Sequence, residues 1–157
     1  MEHTSYCIAS RDTGGGVALW LGGVDDGSGN YWCDVEAGVP HPGTMEFWTL
    51  VPLPATDAYY LLNQTANLFA CFASDDKRVA LRPLDVHDPS FVVKLDDVGD
   101  GWVAINNGAK DRVFDVEGGH PAPGTPVIQH PWGDGTNQMW KFVDSNIVIG
   151  EGVSAKG

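Results

Sequence analysis

The chain is poor in basic residues. Its 157 residues include 9 Lys and Arg against 21 Asp and Glu, so the formal net charge is −12. A surface this acidic repels phosphate backbones and anionic lipid, which argues against nucleic acid and membranes as partners. No apolar run approaches the length that crosses a bilayer, and no secretory signal segment follows Met1. We therefore expect neither nucleic-acid binding nor membrane insertion.

Cysteine is also scarce. The three cysteines, Cys7, Cys33 and Cys71, are an odd number and lack metal-site spacing. Without a secretory signal, this count predicts reduced, buried thiols and a cytoplasmic location. The five histidines lack metal-ligand spacing too, and neither a Ser-His-Asp order nor a nucleophile elbow is present. The sequence predicts no metal, no cofactor and no catalytic site.

Turn-forming residues, in contrast, are plentiful. The chain has 20 Gly and 10 Pro, and 43% of its residues are hydrophobic. This hydrophobic content argues against disorder, and the length is sufficient for a single domain with a sizeable core. The many Gly and Pro between short apolar runs favour strands and turns over long helices.

A repeat of about 45 residues runs through the chain. The segment Glu46-Phe-Trp-Thr-Leu-Val matches Gln138-Met-Trp-Lys-Phe-Val, and Phe91-Val-Val-Lys-Leu lies between them as a middle copy. Aligning the third residue of each segment gives steps of about 45 and 47 residues, a period typical of repeat architectures. Three copies of four strands predict a closed all-β unit without exposed edges, although the period alone also fits a three-bladed array.

We predict one domain, residues 1–157, with repeats at about 5–53, 57–98 and 100–146 and a tail at 147–157. The tail's Ile147-Val-Ile run is expected to add an edge strand or to pack on a neighbour. The strands are predicted at Tyr6–Ser10, Val17–Leu21, Tyr31–Val35 and Phe47–Val51, then Tyr59–Asn63, Leu68–Ala73, Val79–Arg82 and Phe91–Leu95, then Trp102–Asn106, Arg112–Val116, Val127–His130 and Met139–Val143.

The third copy carries the most specific pattern. It contains Val113-Phe-Asp-Val-Glu-Gly-Gly, then Gly124-Thr-Pro-Val-Ile-Gln-His-Pro-Trp, and it closes with Asn137-Gln-Met-Trp. This combination resembles the ricin-B-like (R-type lectin) β-trefoil family, and in particular small single-domain fungal lectins. The resemblance covers essentially the whole chain. It implies a β-trefoil of three four-stranded repeats with pseudo-threefold symmetry, and a non-enzymatic lectin for galactose- or N-acetylgalactosamine-type glycans that acts in defence.

The resemblance also implies one carbohydrate site, in the third repeat. An ionised Asp can accept hydrogen bonds from two vicinal sugar hydroxyls, an Asn amide can donate to them, and a flat side chain can stack on the ring. Gln138 and Trp140 are assigned to structure. Simpler readings exist for the same residues, as turn-forming Asp and Asn and as a surface His. The predicted site residues are Asp115 as acceptor, Asn137 as amide, His130 or Trp132 as platform, Ile128 as floor, and Gly118 in the tight turn.

The other two copies are predicted to have lost this site. In our alignment Trp20 and Ala70 take the place of the acceptor Asp115, although Asp25 or Asp26 could supply a carboxylate in the first copy. A single site per chain would gain avidity from a homodimer, for which the exposed candidates are Trp32, Trp132 and residues 147–149. The alternative function is a β-trefoil protease inhibitor that acts through an exposed loop.

Overall fold

The computed structural model describes residues 4–109, 111–119 and 121–154. Nearly all of its regular structure is β. Within the described residues there are also one-turn 3₁₀ helices at Pro89–Phe91, Glu117–Gly119 and Thr136–Gln138, and one α-helix, α1, at Ser145–Ser154. The strands are β1 Ser5–Ser10, β2 Leu19–Asp25, β3 Tyr31–Ala37, β4 Trp48–Pro52, β5 Tyr59–Asn63, β6 Leu68–Cys71, β7 Ala80–Arg82, β8 Lys94–Gly99, β9 Trp102–Asn106, β10 Val113–Val116, β11 Val127–His130 and β12 Trp140–Asp144.

Six of these strands form a closed barrel. β1 pairs with β4 and β12, β4 pairs with β5, and β9 pairs with β8 and β12, all antiparallel. A bridge between Tyr59 and Val93 joins β5 to the segment before β8 and completes the ring. The hairpins β2–β3, β6–β7 and β10–β11 cover one end of the barrel. This arrangement is a β-trefoil, which confirms the predicted fold of three four-stranded repeats.

The repeat anchors meet in the core. Trp48, Val93 and Trp140 are all completely buried. Each indole also satisfies its N–H inside the core: Trp48 Nε1 donates to Leu21 O at 2.9 Å and Trp140 Nε1 donates to Phe114 O at 3.1 Å. A buried Trp needs such a partner because an unpaired donor away from water is costly.

The same two indole bonds fix how the repeats correspond. Leu21 is equivalent to Phe114, so Gly22 takes the place of Asp115 in the first repeat. In the second repeat Cys71 pairs with Ala80 as Asp115 pairs with Ile128, so Cys71 takes that place. The predicted equivalents were therefore wrong. Trp20 lies two residues before Gly22, and Ala70 lies one residue before Cys71. A slip of one residue turns a side chain to the other face of its strand, and loop lengths that differ between repeats allow it.

Of the two outcomes predicted for the tail, the edge strand was wrong, and packing on a neighbouring part of the fold is what the structure shows. Residues 145–154 form α1 instead of an edge strand, and the carboxylate of Asp144 accepts a hydrogen bond from the backbone N–H of Asn146 at 2.9 Å as the helix begins. Val148 is buried against Cys7 and Phe47, while Ile147 is 55% exposed. β-Branched residues favour strands locally, but here burial of one side of the segment decides its structure.

Trp32, predicted as an exposed interface residue, is 8% exposed. The Arg78 guanidinium lies 3.7 Å from its ring centroid, and its indole N–H donates to Asp26 at 2.9 Å. Such a cation–π contact covers an aromatic face that would otherwise lie open to solvent. None of the helices in the described part of the chain is long and apolar enough to cross a bilayer.

Candidate functional site

A cavity of about 370 Å³ opens on the third repeat. Five of the predicted site residues line it, and Trp132 does not. Trp132 is half-buried, and of the two predicted aromatic platforms only His130 lines the cavity. The lining residues are Asp115, Gly118, Gly119, Ile128, His130, Gly133, Gly135, Asn137 and Gln138.

The β10–β11 hairpin places the acceptor. Phe114 points into the core, where its ring packs edge-on against Trp140 with 6.5 Å between centroids. Because side chains alternate along a strand, Asp115 then faces the opposite side, toward the cavity, and pairs across the hairpin with Ile128. Asp115 is 5% exposed and lies inside a strand, so the alternative interpretation as a turn-capping residue was wrong.

Two amides hold the Asp115 carboxylate. Asn137 Nδ2 donates to its Oδ1 at 3.1 Å and Gln138 Nε2 donates to its Oδ2 at 2.8 Å. His130 Nδ1 lies 3.9 Å from the same Oδ2. Burial raises the pKa of Asp115 above its ordinary 3.8, against the opposing effects of the Gln138 bond, the His130 charge and the Asn137 bond. A carboxylate has about four acceptor positions, so two remain for a ligand.

Gln138 is the site residue that the sequence analysis missed. Its Oε1 accepts from the backbone N–H of Gly133 at 2.8 Å, and its Nε2 also donates to Pro131 O at 3.0 Å. These two bonds brace the turn before the 3₁₀ helix, which agrees with the structural role assigned to Gln138 from the sequence. The bond to Asp115 is additional. The Gln-x-Trp pattern signals the brace, but it does not show that the amide reaches a second strand.

Glycines shape the rim of the cavity. Gly118 and Gly119 have φ angles of 81° and 64°, in the left-handed region that favours glycine. At Gly135 a Cβ would lie 2.5 Å from Asn137 Oδ1, so a side chain there would displace the amide. The one-turn helix at Thr136–Gln138 then carries Asn137 over the carboxylate, where its Nδ2 also donates to Val116 O at 3.2 Å.

His130 stands at the mouth of the cavity with 57% of its side chain exposed. Its Nδ1 lies 2.9 Å from Pro131 O. A carbonyl oxygen can only accept, so this contact assigns a hydrogen to Nδ1. Gln138 Nε2, 3.5 Å from the same nitrogen, is a donor as well and makes no hydrogen bond to it in this state. The contact with Pro131 O therefore orients the exposed ring, and Asp115 Oδ2 lies 3.9 Å from the same nitrogen.

The first repeat fills the equivalent position differently. A Cβ on Gly22 would lie 3.3 Å from Asp34 Oδ1, 3.4 Å from Glu46 Cγ and 3.6 Å from Glu36 Cγ, so acidic side chains occupy this space. Asp34 is 3% exposed and its Oδ1 has no hydrogen-bond partner. Burial, followed by Glu36 and Glu46, raises the pKa of Asp34 well above 3.8.

Neither of the first two repeats reproduces the acceptor of the third. In the second repeat the equivalent residue, Cys71, is buried and has no carboxylate. Asp26, one of the two residues that could supply a carboxylate in the first repeat, instead stabilises its own loop. Its carboxylate accepts hydrogen bonds from the backbone N–H of Ser28 at 2.9 Å and from the Trp32 indole at 2.9 Å. Among the described residues, no group of three or more His, Cys, Asp or Glu side chains has metal-binding geometry.

Comparison with known proteins supports the resemblance drawn from the sequence. Residues 90–150, which contain Asp115 and the whole Asn137-Gln-Met-Trp motif, match the family model described as ricin-type β-trefoil lectin domain-like. No curated protein matches the chain. The match to this family model confirms the resemblance to ricin-type β-trefoil lectins, and such a domain supports carbohydrate binding in general.

Solved structures share the fold at low sequence identity. The designed threefold-symmetric protein ThreeFoil has a TM-score of 0.75 and 21% identity, with 89% of this chain and 98% of that chain covered. The Rhizoctonia solani agglutinin has a TM-score of 0.69 and 22% identity, with 92% and 96% covered. The Polyporus squamosus lectin, solved with Neu5Acα2-6Galβ1-4GlcNAc, has a TM-score of 0.69 and 16% identity, with 90% and 49% covered.

Two clostridial glycosidases also contain a similar unit. They are an exo-β-1,3-galactanase and an endo-β-galactosidase, and this chain covers 30% and 32% of their lengths. The match therefore spans about a third of each enzyme. The family model that matches residues 90–150 is described as a lectin-like domain.

Proposed function

We propose that this protein is a non-enzymatic lectin that binds one galactose- or N-acetylgalactosamine-type ring in the cavity around Asp115. The observation that carries the proposal is the Asp115 carboxylate, held by Asn137 and Gln138 at 3.1 and 2.8 Å inside an open cavity. Two adjacent hydroxyls can donate to its remaining acceptor positions. Hydrogen bonds to a charged acceptor are roughly twice as strong as neutral ones.

The remaining lining suits a sugar ring. Galactose carries an axial 4-hydroxyl beside an equatorial 3-hydroxyl, and one carboxylate can accept from both. Asn137 Oδ1 can accept from the same edge of the ring. The exposed His130 ring and Ile128 offer surfaces for the apolar face of the sugar. The galactose-containing ligand named for the Polyporus squamosus lectin also supports the choice of sugar.

A glycan array followed by calorimetry tests this function. We expect binding of galactose- and N-acetylgalactosamine-terminated glycans, and not of glucose- or mannose-terminated ones. Titration with methyl β-galactoside should give one site per chain with a Kd of about micromolar to millimolar, since one ring makes few contacts. A metal chelator should leave the titration unchanged.

The outcomes separate the parts of the proposal. Binding of no glycan on the array would overturn the lectin function, and inhibition of a protease by the same preparation would favour the alternative inhibitor. Two or three sites per chain would mean that the first or second repeat also binds. A strong preference for glucosides would overturn the sugar identity while retaining the site.

The wider biology belongs to the same proposal. The three cysteines are free and buried, which supports a reducing, cytoplasmic location. A homodimer would present two sites and bind multivalent glycoproteins much more tightly than free sugar. Defence against organisms that display such glycans is the role we propose for an assembly of this kind.

A further inference from the structure

A second cavity adjoins the candidate site. It has a volume of about 610 Å³ and lies between the loop after β6 and the third repeat. His130 lines both cavities, so its side chain is a shared wall, and this wall is open to solvent over 57% of its area. The lining residues of the second cavity are Ser74, Asp75, Asp76, Lys77, Asp111, Arg112, Gln129, His130 and Pro131.

Strand alternation explains why the two cavities meet. Along β11, Ile128 faces the candidate site and the next residue, Gln129, faces the second cavity. His130 ends the strand, where the chain turns into Pro131 and both cavities reach the same side chain. A ligand that is longer than the candidate site and extends past His130 therefore reaches the second cavity directly.

The second cavity is fixed by hydrogen bonds. The two hydrogens of Gln129 Nε2 are shared among the carbonyl oxygens of Ala73, Asp76 and Arg78, at 2.8, 3.0 and 3.1 Å, and its Oε1 accepts from Arg112 at 2.7 Å. Lys77 pairs with Glu117 at 2.5 Å, which ties the loop to the residue before the Gly118 turn. A preformed cavity costs less ordering on binding than one that must be assembled.

We propose that the protein recognises a neutral oligosaccharide, with one ring at Asp115 and the following rings laid over His130 into the second cavity. This inference rests on the proposed function and names the glycan class. The cavity offers hydroxyl acceptors on three carboxylates and donors on Arg112 and Lys77. Asp75 and Asp76 pair with Arg82 and Arg78, and Lys77 pairs with Glu117, so the charges around the cavity are nearly balanced. The net charge of −12 on the whole chain nevertheless disfavours an anionic extension such as a carboxylated or sulfated sugar.

The test uses three galactosides and calorimetry. The probes are methyl β-galactoside, lactose and the neutral tetrasaccharide Galβ1-4GlcNAcβ1-3Galβ1-4Glc. We expect the tetrasaccharide to bind about tenfold more tightly than methyl β-galactoside. Ser74→Trp places a large ring in the second cavity, away from Asp115, and should remove this gain while the affinity for methyl β-galactoside stays the same.

Val86→Trp is the matched control, because Val86 is 65% exposed and does not line either cavity. It should leave all three affinities unchanged. If Ser74→Trp does not fold, Asp111→Trp obstructs the same cavity from the other side. Equal wild-type affinities for methyl β-galactoside and the tetrasaccharide would overturn the inference, as would a folded obstructed variant that keeps the gain. Absence of binding by all three probes would instead overturn the proposed function beneath it.

Discussion

Gln138 and Asp115 are joined by a hydrogen bond of 2.8 Å from the amide Nε2 to the carboxylate Oδ2. Gln138 lies two residues before the buried Trp140, and its amide also braces the turn at Pro131 and Gly133. The motif that closes the repeat and the acceptor of the candidate site are therefore parts of one hydrogen-bonded unit. A ligand bound to Asp115 is linked through the Gln138 side chain to the turn at Pro131 and Gly133.

Replacing the acceptor should weaken sugar binding strongly, with a smaller effect on folding. Asp115→Asn keeps the shape of the side chain but removes the charge. Its new NH₂ group then faces the N–H donor of either Asn137 or Gln138. We expect methyl β-galactoside affinity to fall by about 30- to 150-fold, as for the loss of a charged partner worth about 2–3 kcal/mol. Calorimetry measures the affinity, and thermal melting measures the fold.

Asp57→Asn is the matched control, because Asp57 is an exposed carboxylate in the second repeat, paired with Lys94. It should bind sugar like the wild type. If the folded Asp115 variant also bound like the wild type, the cavity around Asp115 would not be the sugar site.

Binding should weaken in acid. A sugar hydroxyl donates well to the ionised Asp115 and poorly to its protonated form. Burial raises the pKa of Asp115 above 3.8, so protonation begins at a higher pH than for an exposed Asp. Affinity should therefore fall as the pH is lowered from 7 toward 4, measured by calorimetry alongside thermal melts at each pH. Residual binding by Asp115→Asn should not share this dependence, and a flat wild-type profile would contradict an ionised acceptor.

The trefoil was predictable because its signals repeat. Trp48, Val93 and Trp140 recur at a regular step, and all three lie fully buried at equivalent places. The register of the first hairpin was not predictable, because β2 contains Gly22 and Gly23, which have no side chains to reveal which face is buried. Three acidic side chains converge on Gly22, and none of them is its neighbour in sequence.

Most residues of the candidate site were predictable, but Gln138 and the hydrogen bonds between the residues were not. Asp115, His130 and Asn137 followed from the resemblance, and they line one cavity. That Asp115 is almost buried in a strand, and that Gln138 reaches it, depends on how two distant segments pack. The α1 helix was missed for a similar reason: residues 147–149 favour a strand locally, and only the packing of Val148 and Ile149 against Cys7 and Phe47 shows otherwise.

The motif Asn137-Gln-Met-Trp should divide into a stability part and a binding part. Trp140→Ala removes a fully buried indole that donates to Phe114 O, and we expect a loss of about 3–5 kcal/mol in the free energy of unfolding. Asn137→Ala removes a half-buried amide, so melting should change by only a few degrees, about 1 kcal/mol, while the affinity for sugar falls. Denaturant unfolding and calorimetry measure both quantities for each variant.

Trp48→Ala is the control for position, because Trp48 is equally buried and donates to Leu21 O in the first repeat. It should destabilise by a similar amount and retain sugar affinity at temperatures where it is folded. A reversed order, with Asn137→Ala more destabilising than Trp140→Ala, would show that the division is wrong.

Asp34, in the first repeat, should lower the free energy of unfolding by an amount that depends on pH. Asp34 is 3% exposed, its Oδ1 lacks a partner, and burial together with Glu36 and Glu46 raises its pKa well above the ordinary 3.8. Above about pH 4 the unfolded chain has released this proton while the folded chain still holds it, so the stability contributed by Asp34 falls as the pH rises.

Replacing Asp34 by Asn tests this dependence. Asp34→Asn removes the titration and can donate to the neighbouring carboxylate of Glu36. We expect the variant to be more stable than the wild type by about 1–3 kcal/mol at pH 7, from urea unfolding. The difference should shrink toward pH 4, while the exposed Asp57→Asn should stay within about 0.5 kcal/mol of the wild type throughout. A less stable Asp34→Asn at pH 7 would mean that Asp34 is ionised and stabilising in the folded protein.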